Sequence, residues 1–346
     1  MNVMRSFHIA ANQDVRVVFS FSDNYLFVFS KDWKLLKVLK STLDESYREM
    51  YLAYCVIENE IIMAPFLATN FVSINYITGE QRIIEGLVAE KEKDVKYKFR
   101  TCFVQGKCVW FIGEGIKKII CINADEAAFV VEEYPFGDFC WAYDYVMLGE
   151  KIYIPSMNSN NMLIINVEDR SVEIKELSVG NKEGYCGIYL KGEDIILVDR
   201  SGKQYIYKLD NISLTGVTSD YIILKSFNYK DKIFKMCRNC AGIYIEYANG
   251  EEEFLNLDTD NRFDGFELPI MAATVDGEDF IFQWGDGNFY TYCDSLGKPQ
   301  RVQIKGIDEF DMGLLYKNAC KNIYLKGAVN ESPLNVLEDF LSIVCD

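Results

Sequence analysis

The stretch Glu150 to Leu177, EKIYIPSMNSNNMLIINVEDRSVEIKEL, decides the fold. Ile152 to Pro155 is a short aliphatic and aromatic run, Met157 to Asn161 a polar turn cluster, and Met162 to Val167 is apolar again. Glu168 to Ser171 makes a second turn before Val172 to Leu177. A preceding apolar run, Tyr145 to Leu148, meets this stretch across Gly149-Glu150, a tight hairpin signal. The unit is a four-stranded antiparallel meander. Such a unit cannot bury both of its faces alone, so copies of it have to stack.

Copies are found along the whole chain. Placed by the first apolar residue of the second strand, they fall at Val17, Ile61, Val109, Ile152, Ile195, Ile233, Phe280 and Ile323. The steps are 44, 48, 43, 43, 38, 47 and 43 residues, the period of a four-stranded blade. Short polar turns precede most anchors, as in Asn12-Gln13-Asp14, Gly106-Lys107 and Gly192-Glu193-Asp194. Second and third strands meet at polar or glycine-bearing turns such as Gly113-Glu114-Gly115, Asn158 to Asn161 and Arg200-Ser201-Gly202. Ser41 to Met50, Leu87 to Lys98, Glu133 to Phe139, Ser178 to Lys182 and Asp258 to Glu267 are expected to carry the chain from one blade to the next, Leu87 to Lys98 as a solvated, charge-dense loop.

The eighth copy is incomplete: Gly313 to Tyr316 and Ile323 to Lys326 read as two strands. Ser332-Pro333 then opens a helix with Leu334, Leu337, Leu341 and Val344 on one face, Ser as N-cap and Pro at the first helical position. Over nearly its whole length the pattern resembles β-propeller proteins of the kelch, NHL and WD-repeat kind. The Gly-His and Trp-Asp dipeptides of WD repeats and the double glycine of kelch blades are absent, so no family's functional residues carry over. The expected fold is an all-β, seven-bladed propeller with four-stranded antiparallel blades. Residues 1–330 form that single domain and 331–346 a short C-terminal helix packed on it. Eight blades, the last one incomplete, is the alternative. The resemblance implies a rigid scaffold whose loops on one face grip a peptide, protein or sugar, a minority of such proteins being hydrolases, lyases or lactonases.

Composition agrees with an ordered β protein. Aromatic residues make up 14%, favouring strands, and only 6 Pro and no low-complexity tract break the pattern. With 52 acidic against 36 basic residues the formal charge is -16, which repels a phosphate backbone and argues against nucleic acid as partner. The opening MNVMRSFHIAANQD lacks the apolar run of a signal peptide, no segment reaches membrane-spanning length, and the eleven cysteines are scattered through strands. A cytoplasmic protein with reduced cysteines is expected.

Chemistry-bearing motifs are sparse. The single histidine, His8, reads as structural, which removes most zinc and serine-relay chemistries. Cys237-Arg238-Asn239-Cys240 is a C-x-x-C with no second pair to complete a metal site. Asp258 to Glu267, DTDNRFDGFE, resembles a calcium loop but has Arg262 at its fifth position and its glycine two residues late. No cofactor is therefore expected, weak calcium or magnesium binding being the residual reading. In a propeller the loops joining second to third strands converge at one mouth of the central channel. From blades four to seven they offer Asn158, Asn160, Asn161, Asp199, Arg200, Lys203, Arg238, Asn239, Trp284 and Asp286 as candidate ligand-binding residues. Amides, paired charges and an indole suit a protein, peptide or sugar ligand, with Trp284, Arg200 and Arg238 as anchors. The expected function is non-enzymatic binding at that mouth; the alternative is a carbohydrate- or lactone-active enzyme with a divalent metal held there, using carboxylates such as Asp199 and Asp286.

Overall fold

The computed structural model describes residues 8–20, 24–40, 50–125, 128–177, 183–208, 211–237, 240, 242–257, 270–284 and 288–307. Its strands form seven four-stranded antiparallel meanders, each built from consecutive segments. Blade 1 holds β1 (Ile9–Ala11), β2 (Val15–Ser20), β3 (Tyr25–Ser30) and β4 (Leu35–Lys40). Blade 2 holds β5 (Ala53–Ile57), β6 (Glu60–Ala64), β7 (Phe71–Asn75) and β8 (Gln81–Ile84). Blade 3 holds β9 (Phe99–Gln105), β10 (Cys108–Gly113), β11 (Lys118–Asp125) and β12 (Ala128–Pro135). Blade 4, the opening stretch, holds β13 (Val146–Leu148), β14 (Lys151–Pro155), β15 (Asn161–Asn166) and β16 (Val172–Glu176). Blade 5 holds β17 (Tyr185–Lys191), β18 (Asp194–Asp199), β19 (Lys203–Lys208) and β20 (Asn211–Thr218). Blade 6 holds β21 (Ile223–Tyr229), β22 (Lys232–Cys237), β23 (Gly242–Tyr247) and β24 (Glu252–Asn256). Blade 7 holds β25 (Ile270–Asp276), β26 (Asp279–Trp284), β27 (Phe289–Cys293) and β28 (Lys298–Arg301).

The second strand of each blade is apolar on both faces because both are covered. Val17 and Val18 enter different cores, as do Ile61 and Ile62, Val109 and Trp110, Ile195 and Ile196, and Phe280 and Ile281. Each core lies between two adjacent blades, and each fully buried aliphatic or aromatic side chain contributes about 1.5–3 kcal/mol. The last joins Phe27 and Phe29 of blade 1 to Ile281 and Phe289 of blade 7, so the ring closes on seven blades and leaves no slot for an eighth. That overturns the eight-bladed alternative; the copy at Ile323 and the helix opening at Ser332 lie outside the described residues. Outer strands such as β16, VEIKE, are half charged, which protects an open sheet edge.

Two devices lock the closure. Buried Arg16 bridges to Asp276 at 2.7 Å and Asp279 at 2.8 Å, with its guanidinium 5.0 Å from the Trp33 ring and Lys31 also 2.7 Å from Asp276. Beyond β28, the Lys305 N–H donates to Trp33 O at 3.0 Å and Lys305 O accepts from Leu35 N–H at 2.9 Å. Two expected crossings differ in detail. The Glu133 to Phe139 segment begins as strand, because β12 pairs with β11 as far as Pro135 opposite Lys118. Leu87 to Lys98 is only partly solvated, since Leu87 and Val88 pack into the blade 2–3 core and Lys98 is buried. Among the described residues no helix is long and apolar enough to cross a membrane, and the nine described cysteines are free thiols.

Candidate functional site: the axial channel

Inner strands β1, β5, β9, β13, β17, β21 and β25 ring the axis, starting at the rim that carries the second-to-third-strand loops and ending at the first turn of each blade. At the loop rim most polar side chains are engaged in their own turns. Asn158 accepts from Cys140 N–H at 2.9 Å and Ser156 Oγ at 2.8 Å, and donates to Asp138 O at 3.1 Å. Asn160 donates to Leu177 O at 2.5 Å and Asn161 to Ser159 Oγ at 3.0 Å. Buried Asp199 accepts from Ser201 N–H and Oγ, from Lys203 N–H and, at 3.1 Å, from the Tyr205 hydroxyl. Arg200 reaches Met157 O at 3.3 Å, bringing the blade 4 and blade 5 turns together, while Lys203 is exposed. Trp284 is half-buried against the blade 6–7 core, and Arg238, Asn239 and Asp286 lie outside the described residues, as does Asp258 to Glu267. Gly184, at φ +80°, lets the chain pass this rim: a Cβ there would sit 2.4 Å from Met157 C.

Sequence reading missed a second cluster on the same rim. The Arg100 guanidinium lies between the rings of Phe66, at 5.1 Å, and Tyr143, at 4.7 Å, with Nε 3.2 Å from Glu114 Oε2. Its Nη1 donates to the Tyr143 hydroxyl at 2.5 Å, and burial pushes that phenol up to about 12. Arg100 and Glu114 pair by charge here, but Arg100 Nε and Glu114 Oε2 make no hydrogen bond.

Open space lies deeper, on the axis. Two hollows of about 670 and 290 Å³ share His8, Tyr145, Thr274 and Val275 in their walls and so adjoin; together they are called the bore. The larger is walled by β1, β5, β9 and β25 and opens past Asn12 and Asp276, at the first-turn end; the smaller is walled by residues 144–147, Leu190, β21 and β25. Backbone events put charged groups there. An extra residue, Leu224, bulges in β21 just before Lys225, bending an inner strand that would otherwise run straight. Asp144 reaches across blade 5 to blade 6, where Oδ2 accepts from Ser226 N–H at 2.7 Å and Ser226 Oγ at 3.1 Å. His8 is pinned through its carbonyl, which accepts the Tyr54 hydroxyl, and its ring meets Tyr54 edge-on at 5.2 Å.

Burial dominates the titration of this cluster. It pushes Asp144 up to about 7, against the pull of Lys225 and the two Ser226 bonds. It pushes His8 down to about 3, with the Lys225 ammonium acting in the same direction. The Tyr145 phenol and the Cys55 thiol are raised, Cys55 by burial and then by its neighbour Cys102 across the blade 2–3 boundary. Lys225 makes no hydrogen bond or ion pair with a described residue; its ammonium stands 5.3 Å from the Phe227 ring centre. With His8 neutral and Asp144 protonated up to about 7, the smaller hollow carries one positive charge, that of Lys225. The signal for these residues was present: His8, Asp144 and Lys225 stand in or just before first strands, which line the axis of any propeller. Among the described residues no group of three metal-ligating side chains converges.

No protein-family model matches the sequence, and no curated protein is similar to it. Solved structures are. Virginiamycin B lyase from Staphylococcus aureus superposes with a TM-score of 0.63 at 12% identity, over 84% of this chain and 97% of the lyase. The Swd1 β-propeller domain of Myceliophteria thermophila gives 0.54 at 8% identity, over 82% and 95%. The dihydro-heme d1 dehydrogenase NirN gives 0.55 at 9% identity, over 85% of this chain and 66% of NirN. At such identities the likeness establishes the propeller fold, and the neighbours include enzymes beside a propeller domain of a different kind.

Proposed function

We propose that the protein is a non-enzymatic, cytoplasmic binding propeller that holds a protein or peptide segment at one mouth of its central channel. The bore is the observation that carries this reading: its two adjoining hollows, about 670 and 290 Å³, are on the scale of ligand-binding cavities and lie between inner strands. Those strands lie at the inner edge of each sheet, where backbone groups without a strand neighbour face the axis and suit an extended segment. Val104 and Met147, 38% and 44% exposed, add apolar contacts at the first-turn rim. This reading puts the grip at this mouth because, among the opposite loops, Asn158, Asn161 and Asp199 already hold the chain around them. Panning the purified protein against random synthetic peptides, followed by fluorescence anisotropy on the binders, tests the placement. Affinity should fall at least tenfold in Val104→Glu and Met147→Glu and hold in Trp284→Ala and Arg200→Ala; the reverse pattern, or no binder, refutes it.

A rival reading, an enzyme acting on a carbohydrate or lactone, draws support from Asp144, a carboxyl titrating near neutrality inside a hollow. Its Oδ2 is already held by two Ser226 donors, which favours a tethering role. Turnover of p-nitrophenyl glycosides or aliphatic lactones, with or without magnesium or calcium, that Asp144→Asn abolishes would replace the binding reading.

A further inference from the structure

We infer that the smaller hollow of the bore is a carboxylate-binding site in which Lys225 anchors the anion and the apolar walls hold its hydrocarbon part. This deepens the binding reading above by naming the group recognised, and it rests on that reading only for the peptide source of the carboxylate.

Three cationic side chains line the bore. Arg16 and Lys31, at the mouth of the larger hollow, are committed to Asp276 and Asp279 at 2.7–2.8 Å. Lys225, in the smaller hollow, has no ion pair with a described residue. An ammonium facing a confined, half-desolvated space without a counter-charge is an open half of a charge-assisted hydrogen bond. The nearest anionic candidate, Asp144, is turned onto Ser226 and does not come within ion-pair distance of Lys225. Thr274 and Asn228, on facing strands β25 and β21, add a hydroxyl and an amide to the same wall.

The charge count selects the anion. One unpaired cation matches a monoanion; a phosphate dianion would be under-neutralised and would face the Asp144 carboxyl as well. The remaining wall, Val146, Leu190, Phe227, Ala273 and Val275, is apolar and calls for a hydrocarbon or aromatic body. At about 290 Å³ the hollow has room for roughly ten waters at the ~30 Å³ liquid share of each, the scale of a small organic anion. Hexanoate and benzoate have the right size, and so does the last residue of a peptide with a free C-terminal carboxylate.

Titration calorimetry and ¹H-¹⁵N NMR on the full chain with hexanoate, hexanamide, benzoate and inorganic phosphate test the assignment. The two carboxylates should bind at least tenfold more tightly than hexanamide, and more tightly than phosphate, with shifts centred on β21 and β25. Lys225→Met should remove that tenfold preference, and Lys225→Arg should keep it. Equal binding of hexanoate and hexanamide to the wild type, which needs no variant, overturns the inference, as does a preference that Lys225→Met leaves intact. A pair of peptides ending in a free carboxylate or an amide separates the sources. Tenfold preference for the free terminus assigns the site to a peptide end, and hexanoate binding with neither peptide bound assigns it to a small molecule and ends the peptide reading alone. Peptides bound equally in both forms, with hexanoate unbound, end the carboxylate inference and leave the peptide reading standing.

Discussion

Replacing Asp144 by asparagine should raise stability by an amount that grows with pH. In the folded chain the carboxyl keeps its proton up to about 7 against an ordinary 3.8, because burial penalises the charged form more than Lys225 and Ser226 favour it. Unfolded, it ionises near pH 4. Between those values the folded state carries a proton that the unfolded state lacks, so stability falls as pH rises through the window and is flat above it. At about 1.4 kcal/mol per unit, the loss between pH 5 and pH 8 amounts to about 3 kcal/mol. The amide of Asp144→Asn cannot ionise yet offers an oxygen to Ser226 N–H. The stability difference between variant and wild type should therefore shift by about 3 kcal/mol in favour of the variant from pH 5 to pH 8. Any pH-independent offset from the amide's extra donor drops out of that shift. His8 has the opposite sign: held neutral down to about 3, it contributes stability that is lost as pH falls from 6.5, and it does so equally in both proteins. Urea unfolding followed by tryptophan fluorescence at pH 5, 6, 7 and 8 reads the difference directly. Parallel curves, with the difference constant to about 0.5 kcal/mol, would refute a proton held on the axis.

Arg16→Met should destabilise by about 1.5–3 kcal/mol in urea titrations, because it takes a buried charged donor from Asp276 and Asp279 at the blade 1–7 seam and leaves Asp276 to Lys31 alone. Gly184→Ala should cost about 2 kcal/mol or more, since the Cβ meets the Met157 backbone in a left-handed conformation, whereas Gly277→Ala, with open space around it, should cost only the conformational strain of about 1 kcal/mol. Hexanoate affinity should fall several-fold between pH 6 and pH 8 as Asp144 ionises. Of the groups facing Lys225, His8 stays neutral over that range, and burial keeps the Tyr145 phenol and the Cys55 thiol, beside Cys102, protonated. Calorimetry at both pH values, with Asp144→Asn abolishing the dependence, checks it.

The blade pattern was legible because it is local. Turn residues and two-residue alternation place Ile152 opposite Ile165 whatever lies elsewhere, and a second strand apolar at both Val109 and Trp110 already announces a neighbour on each side. The candidate site was harder to read. Turn composition marked Asn158 and Asp199 as polar, but a polar turn residue looks the same in sequence whether it caps its own loop or waits for a ligand. His8 read as structural because a lone imidazole has no local partner that marks it.

What the amino-acid sequence determined by itself is the number of residues per blade, the strand order and the apolar faces, since these follow from hydrogen-bonding turns and side-chain period within some forty residues. Closure at seven, the Arg16 seam and the bore were decided only by the tertiary structure. They depend on residues 82 to 263 positions apart, Asp144 with Ser226 and Arg16 with Asp279, meeting around one axis. Whether a charge is paired, buried or left facing open space is a property of that meeting, and no local pattern encodes it.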